Sequence, residues 1–171
     1  MSNHLKNKKR GYTIIETIVY IVIFTMFALV FTKTLVVVMA SYTKIQGARD
    51  ILETAQVTME RATREFRQGQ DLDGSSVYHS TNSDITIHGE DDAGTARTVR
   101  FVKSGNNILF YENGTLLGNL NGTNTTVTAF NTSQVTTAEG KGVKMSITFE
   151  NTKGLIISRT FYNTIILRGA Y

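Results

Sequence analysis

The chain has no cysteine, proline or tryptophan among its 171 residues. Without cysteine it can form no disulfide, no thiolate metal site and no cysteine nucleophile. Three histidines, His4, His79 and His88, remain as acid or base groups near neutral pH. The sequence also contains no GxSxG, HExxH, P-loop or GxGxxG motif. We therefore predict that the protein is not an enzyme, with no catalytic residue, no metal site and no cofactor.

Charge is scarce, and it is unevenly distributed. Charged residues make up 19% of the chain, against roughly 25% in an average soluble domain. Lys6, Lys8, Lys9 and Arg10 precede residue 11 with no acidic residue among them, which leaves 14 basic residues against the 14 acidic ones. The net charge of +4 thus belongs to the first ten residues. Without a one-sided basic stripe elsewhere, we predict no direct nucleic-acid binding.

A long apolar run follows the basic cluster. The segment Thr17–Thr32 has no charged residue, and after Lys33 the run continues to Ala40. The 24 residues from Thr17 to Ala40 would form about 36 Å of helix, enough to span a hydrocarbon core of ~30 Å. Basic residues before such a span keep the N-terminus in the cytoplasm. The pattern predicts a single-pass protein of the cytoplasmic membrane, with its N-terminus inside and the rest of the chain outside.

The next segment, residues 41–68, has the pattern of an amphipathic helix continuing the first. Its apolar residues recur at steps of three and four, and they are Ile45, Ala48, Leu52, Ala55, Met59, Ala62 and Phe66. The opposite face offers ion pairs at i, i+4, namely Arg49–Glu53, Glu60–Arg64 and Arg61–Glu65. Gly69 is the predicted helix stop.

From Gly69 onward, short β-type runs alternate with glycine, asparagine, serine and threonine. The predicted strands are Asp84–His88, Arg97–Lys103, Ile108–Glu112, Leu116–Leu120, Val127–Phe130, Val143–Glu150 and Leu155–Arg168. Asn113-Gly114 and Asn121-Gly122 are typical of two-residue hairpin turns. Connections this short favour antiparallel pairing. The predicted fold is therefore α+β, a long N-terminal helix packed on an antiparallel sheet.

Two residues near the N-terminus call for a functional explanation. Gly11 lies between the basic cluster and the apolar run, and Glu16 lies at the start of that run. A carboxylate near a helix centre in lipid costs about 2.5–3.5 kcal/mol unless it is paired. The segment containing both reads Gly11, Tyr12, Thr13, Ile14, Ile15, Glu16. It resembles the N-terminus of the type IV pilin and type II secretion pseudopilin superfamily, whose precursors have a basic leader ending in glycine, then an aromatic, Thr, two aliphatics and Glu.

The resemblance implies a maturation pathway and a set of partners. A prepilin peptidase would cleave between Gly11 and Tyr12, and Tyr12 would be N-methylated. An inner-membrane assembly platform would then extract the subunit from membrane lipid into a filament in the periplasm or at the cell surface. There Glu16 would meet the Tyr12 ammonium of a neighbouring subunit. The implied organisation is a leader (1–11), a transmembrane and assembly half of the helix (12–40), an amphipathic half (41–69) and a pilin-like β-sheet domain (70–171).

Later segments refine the resemblance. The helix end Asp50–Gly69, the run RFVKSGNNILFYENG and the ending FYNTIILR are similar to J-type minor pseudopilins and their competence-system relatives. That similarity implies a minor subunit at or near the filament tip. A major pilin and a permanently anchored surface or adhesion protein are alternatives. A signal peptidase site at Val38-Met39-Ala40, releasing a protein that starts at Ser41, is another. Adhesion or twitching pili, secretion pseudopili and DNA-uptake pili share this N-terminus, so all three systems stay open.

Overall fold

The computed structural model describes residues 11, 13–91, 93–137, 140–154 and 156–167. Within them lie one helix and eight strands: α1 Ile14–Gln68, β1 Gly69–Leu72, β2 Asp84–Glu90, β3 Ala96–Ser104, β4 Asn107–Glu112, β5 Thr115–Asn119, β6 Thr125–Thr137, β7 Gly140–Asn151 and β8 Ser158–Ile166. The chain divides into two compact units, Met1–Tyr42 and Thr43–Tyr171. The predicted α+β fold class, a long N-terminal helix packed on antiparallel β-structure, is confirmed.

The first unit contains the apolar part of α1. Its large apolar side chains, from Ile14 to Met39, are exposed. An 18-residue window of α1 has a mean hydropathy of 2.5, so the helix is long and apolar enough to cross a membrane. Thr25, Thr32 and Thr34 donate their hydroxyls to backbone carbonyls three or four residues earlier, at 2.8–2.9 Å. These hydroxyls therefore need no external partner, which suits an apolar environment.

In the second unit, α1 buries one face, which includes Ala55, Ala62 and Phe66 of the predicted apolar face. Ile45 and Leu52 of the predicted apolar face are 55% and 53% exposed. The buried positions of α1 are Gly47, Ile51, Ala55, Thr58, Ala62, Glu65 and Phe66. Thr58 is buried beside them because its hydroxyl donates to the Leu120 carbonyl, so that its burial costs no hydrogen bond.

The strands form two antiparallel sheets, a division that the sequence pattern did not predict. One sheet has the order β1-β2-β3-β4-β5 and the other has the order β6-β7-β8. The Ser83 amide donates to the Phe130 carbonyl at 2.9 Å, and the Val127 amide donates to the Asn106 carbonyl at 2.8 Å, so backbone hydrogen bonds join the two sheets. Phe66 of α1 stacks on Phe101 of β3, with ring centroids 5.7 Å apart. The helix and the sheets thus share one core.

Of the two predicted hairpin turns, one is confirmed and one is wrong. Asn113 and Gly114 have φ angles of 50° and 79° and connect β4 to β5, as a type I′ turn requires. Asn121 instead is buried. Its side chain accepts from the Ile108 amide at 3.1 Å and donates to the Thr125 carbonyl at 2.9 Å. The side chain of Asn121 therefore holds the segment in which the chain passes from β5 of one sheet to β6 of the other.

The predicted helix stop at Gly69 is confirmed, since α1 ends at Gln68. The reason is close packing. Gly69 pairs with Gly89 of β2, and a Cβ at Gly69 would lie 2.3 Å from Ile87 Cγ2. Helix and sheet can approach this closely only because residue 69 has no side chain.

We expect Gly69→Ala to destabilise the folded protein by about 1–3 kcal/mol, because the added methyl overpacks the junction between α1 and β2. Thermal denaturation of the full chain in detergent, followed by circular dichroism, measures the change. Gly74→Ala is the matched control, because a Cβ there meets no atom within 4 Å. Equal melting temperatures for the two variants would contradict the packing explanation.

Candidate functional site

The N-terminal junction predicted to be cleaved is only partly within the described residues. Tyr12 and the leader residues Lys6, Lys8, Lys9 and Arg10 lie outside them. Gly11 is exposed and non-helical, three residues before the start of α1. A Cβ at Gly11 would meet no heavy atom within 4 Å. No packing within the described chain therefore requires a glycine at this position.

Glu16 occupies the first turn of α1 and is half-buried. Its carboxylate Oε1 accepts a hydrogen bond from the Tyr20 hydroxyl at 3.1 Å. Its amide donates to Thr13 Oγ1 at 3.4 Å, and Thr13-x-x-Glu16 has the spacing of a capping box. The positive end of the helix dipole also favours a carboxylate in this turn. Glu16 thus has a local structural role that the sequence analysis missed, although its T-x-x-E spacing was visible.

A second cluster of charged side chains lies under the C-terminal end of α1. Glu65 is only 4% exposed, whereas the i, i+4 pattern predicted it on the outer face of the helix. Its two carboxylate oxygens lie 2.8 Å from Arg61 Nε and 2.8 Å from Arg97 Nη1 of β3. Arg97 also donates to Glu112 of β4. This network connects the helix to the sheet.

Burial and pairing act in opposite directions on the Arg97 guanidinium. Burial by itself lowers its pKa, but the hydrogen bond to Glu112 and the charge of Glu65 outweigh that effect and raise the pKa above its ordinary value. Arg97 therefore stays charged at every accessible pH. Its guanidinium is therefore a permanent positive charge within this ion-pair network.

The loop after β1 holds acidic residues near a histidine. Asp73 accepts from the Ser75 amide at 2.7 Å and lies 2.9 Å from His88 Nε2. The hydrogen bonds from Ser75 and then His88 lower the pKa of Asp73 to about 2. A depressed carboxyl pKa stabilises the fold above the ordinary value of 3.8, and this contribution is lost as the pH falls toward 2. Asp73 therefore stabilises its own loop.

Neighbouring carboxylates are likewise engaged in local contacts. Asp71 lies 2.7 Å from Lys141 Nζ. Asp91 accepts from the amides of Ala93 and Thr95. Among the residues that the structure describes, no three histidine or acidic side chains converge in a way that could hold a metal ion. These acidic side chains act in turns and ion pairs.

Comparison with known protein families, curated proteins and solved structures gives no match to this chain. The class that the structure defines is an α+β protein whose N-terminal helix is long and apolar enough to cross a membrane.

Proposed function

We propose that the chain is a pilin-type subunit, processed by a prepilin peptidase and assembled through α1 into a type IV pilus or a type II secretion-like filament. The observation that carries the proposal is the arrangement around the helix start. Gly11 is exposed and precedes the helix, whereas Glu16 lies in its first turn. An exposed apolar stretch of two dozen residues follows. A plain membrane anchor needs neither a glycine junction nor an acid at this position.

The chemistry of the junction gives Glu16 a second partner. Cleavage after Gly11 would create an ammonium group on Tyr12, four residues before Glu16. A carboxylate has about four acceptor positions, so the hydrogen bond from Tyr20 leaves room for a further donor. In a bundle of helices, the Tyr12 ammonium of a neighbouring subunit would supply it. Each charge would then offset the desolvation cost of the other.

The proposed topology follows from the charge distribution. The basic residues at positions 6–10 stay in the cytoplasm, next to the prepilin peptidase. The apolar part of α1 crosses the cytoplasmic membrane in contact with lipid, and residues 43–171 fold outside. The inner-membrane assembly platform and the helices of other pilin or pseudopilin subunits are the partners at the next stage. The final location is an extracytoplasmic filament.

Within this class we propose a minor subunit at or near the tip, on the similarity to J-type pseudopilins. A major pilin and a permanently anchored surface protein are the alternatives. Subunit counting in sheared filaments separates the first two, because a tip subunit occurs in one or a few copies per filament. A major subunit is repeated along the whole length.

The N-terminus of the mature chain tests the proposed function directly. We expect intact-mass and peptide analysis, in a host with a prepilin peptidase, to find a chain that begins at Tyr12 with a methyl group on its amine. A chain that still begins at Met1 would identify a permanent anchor. One that begins at Ser41 would identify a signal-peptidase product and overturn the proposal.

Replacing Glu16 tests the charge pair. We expect Glu16→Ala to be inserted and processed normally, because it removes a carboxylate that is costly in lipid. Its incorporation into filaments is expected to fall several-fold, because the neighbouring Tyr12 ammonium is then buried without a partner. Quantitative immunoblotting of sheared filaments against membranes measures the ratio.

Glu16→Gln distinguishes the contribution of the negative charge to assembly from the contribution of helix capping. Glutamine also fits the third position of a capping box, but it carries no negative charge. If the charge pair matters, Glu16→Gln assembles as poorly as Glu16→Ala. Normal assembly of Glu16→Gln would mean that capping alone is needed, and normal assembly of both variants would show that the pair is dispensable in this subunit.

A further inference from the structure

The chain contains two Asn-Gly-Thr sequences, at residues 113–115 and 121–123, and the fold places them in opposite environments. Asn113 and Gly114 are exposed in the turn between β4 and β5. Asn121 is only 8% exposed. The two asparagines therefore have the same neighbours in sequence but are held very differently by the folded chain.

An asparagine followed by glycine can react with its own backbone. The amide nitrogen of the glycine attacks Cγ of the asparagine side chain and closes a five-membered ring. Glycine favours this step because it has no Cβ to hinder the approach. Ring closure requires rotation about the Cα–Cβ and Cα–C bonds of the asparagine. The reaction therefore depends on how firmly the fold holds that residue.

The Asn113 side chain has a single hydrogen bond in the described part of the chain. Its Oδ1 accepts from the Thr98 amide at 2.8 Å, and its Nδ2 has no partner there. The backbone amide of Asn113 donates to the Thr98 carbonyl at 2.8 Å. A Cβ added at Gly114 would meet no heavy atom within 4 Å among the described residues. The turn thus has space in which the ring can form.

The hydrogen bond from Thr98 also favours the reaction electronically. It draws electron density away from the side-chain carbonyl carbon of Asn113, which is the atom that the nitrogen attacks. The same donor would stabilise the negative charge that develops on Oδ1 as the new bond forms. Thr98 therefore places one backbone donor where the transition state needs it.

Asn121, by contrast, is fixed by four side-chain hydrogen bonds. Its Oδ1 accepts from the Ile108 amide, and its Nδ2 donates to Asn107 Oδ1 and to the carbonyls of Asn106 and Thr125. Rotation of this side chain would break the network and leave buried polar groups without partners, which costs free energy. The fold thus opposes ring closure at Asn121.

We propose that Asn113 is a site of spontaneous deamidation and that the fold protects Asn121 from the same reaction. The Gly114 nitrogen gives up its proton and bonds to Cγ of Asn113, the bond from Cγ to Nδ2 breaks, and Nδ2 leaves with that proton as ammonia. Water then opens the resulting succinimide at either carbonyl, which gives aspartate or isoaspartate. Water is the only co-reactant. The site goes beyond the proposed function, because it depends on neither cleavage nor assembly.

Isoaspartate at position 113 would alter the connection between β4 and β5. It adds one carbon atom to the main chain of a two-residue turn whose φ angles, 50° and 79°, are those of a type I′ turn. It also places a carboxylate next to Glu112, which is paired with Arg97. Because β5 is an edge strand, the expected consequence is a loss of register between β4 and β5.

Incubation of the full-length chain in detergent and mildly alkaline buffer tests the site. Alkaline buffer accelerates ring closure because the attacking nitrogen must lose its proton. Peptide sequencing by mass spectrometry locates the mass increase that accompanies exchange of the amide group for a hydroxyl group. In the folded chain we expect Asn113 to be converted at least about tenfold faster than Asn121, because Asn121 can react only after local opening.

The unfolded chain is the matched control, because the two asparagines are followed by the same two residues. In urea we expect Asn113 and Asn121 to be converted at similar rates. Equal rates in the folded chain would overturn the proposal, and so would conversion of Asn113 in urea alone. Neither result bears on the mature N-terminus, so the proposed processing is tested separately.

Hydrogen exchange tests the consequence for β5. We expect the amides of residues 115–119 to exchange several-fold faster in chains converted at Asn113 than in the fresh protein. An Asn113→Gln chain incubated in the same way is the control, because closure of the larger ring from glutamine is much slower. Unchanged exchange in the converted chains would overturn the predicted loss of register.

Discussion

We expect Gly11→Val to block the proposed cleavage after residue 11, so that the uncleaved chain accumulates in the membrane fraction. Gly11 is exposed, and within the part of the chain that the structure describes a Cβ there would meet no heavy atom within 4 Å. The substitution should therefore leave the fold unchanged. If a peptidase cleaves here as proposed, the branched side chain would hinder close approach of the backbone to its active site. Intact-mass measurement of the membrane fraction gives the ratio of precursor to mature chain.

Gly11→Ala provides a graded comparison, because it adds a single methyl group at the same position. We expect it to be processed more slowly than the native chain, and Gly11→Val to be processed negligibly. Equal melting temperatures for both variants and the native chain would establish that folding is unaffected. If the Gly11→Val chain were still cleaved to begin at Tyr12, glycine at position 11 would not be required for the proposed cleavage.

Local patterns were sufficient to predict much of the fold. The strand pattern at Asp84–His88 and the turn at Asn113-Gly114 depend on alternation and on backbone conformations that few residues tolerate. Both are found as predicted, in β2 and in the β4–β5 connection. The uninterrupted helical pattern from the apolar run to Gln68 is likewise found as α1. These features depend on neighbours in sequence, so the sequence can predict them.

The features that were missed depend on residues far apart in the chain. Asn121 precedes a glycine and so resembled a turn, but it is buried because its side chain bonds to Ile108 and Thr125. Glu65 resembled an exposed partner of Arg61, but it is buried because Arg97 lies beside it in the folded protein. The sequence alone does not show which residues, far apart along the chain, come into contact in the folded protein. For the same reason the division into two sheets was not predicted.

The candidate site, like the fold, could be predicted only in part from the sequence. Gly11 and Glu16 could be chosen as candidate residues because Gly11 separates the basic cluster from the apolar run and Glu16 is an acid at the start of that run. The hydrogen bond from Tyr20 to Glu16 was missed because a tyrosine in an apolar run resembles any other large residue. Its i, i+4 spacing from an acid was the available signal. Helix geometry places these two side chains together whatever the protein's function, so their contact alone does not identify that function.

Removal of the buried carboxylate of Glu65 is expected to cost about 3 kcal/mol of folding stability, because Arg61 and Arg97 both lose a buried carboxylate partner. In Glu65→Ala the guanidinium of Arg97, 16% exposed, would keep Glu112 and a long hydrogen bond to Gln68 Oε1. A loss of this size is a large part of the total stability of a typical domain. We expect the melting temperature of the full chain in detergent to fall far more than in any other variant described above.

Two further variants separate the ion pair from a general effect of mutating α1. Glu60→Ala removes an exposed carboxylate of the same helix that has no ion pair among the described residues, and it should change stability by no more than about 0.5 kcal/mol. The double variant Glu65→Leu with Arg97→Leu removes both charges and fills the space with apolar atoms. Because well-packed apolar residues can replace a buried pair at little cost, the double variant should be more stable than Glu65→Ala. If Glu65→Ala melted like Glu60→Ala, the network would not hold α1 on its sheet, and the buried face of the helix would depend on apolar packing alone.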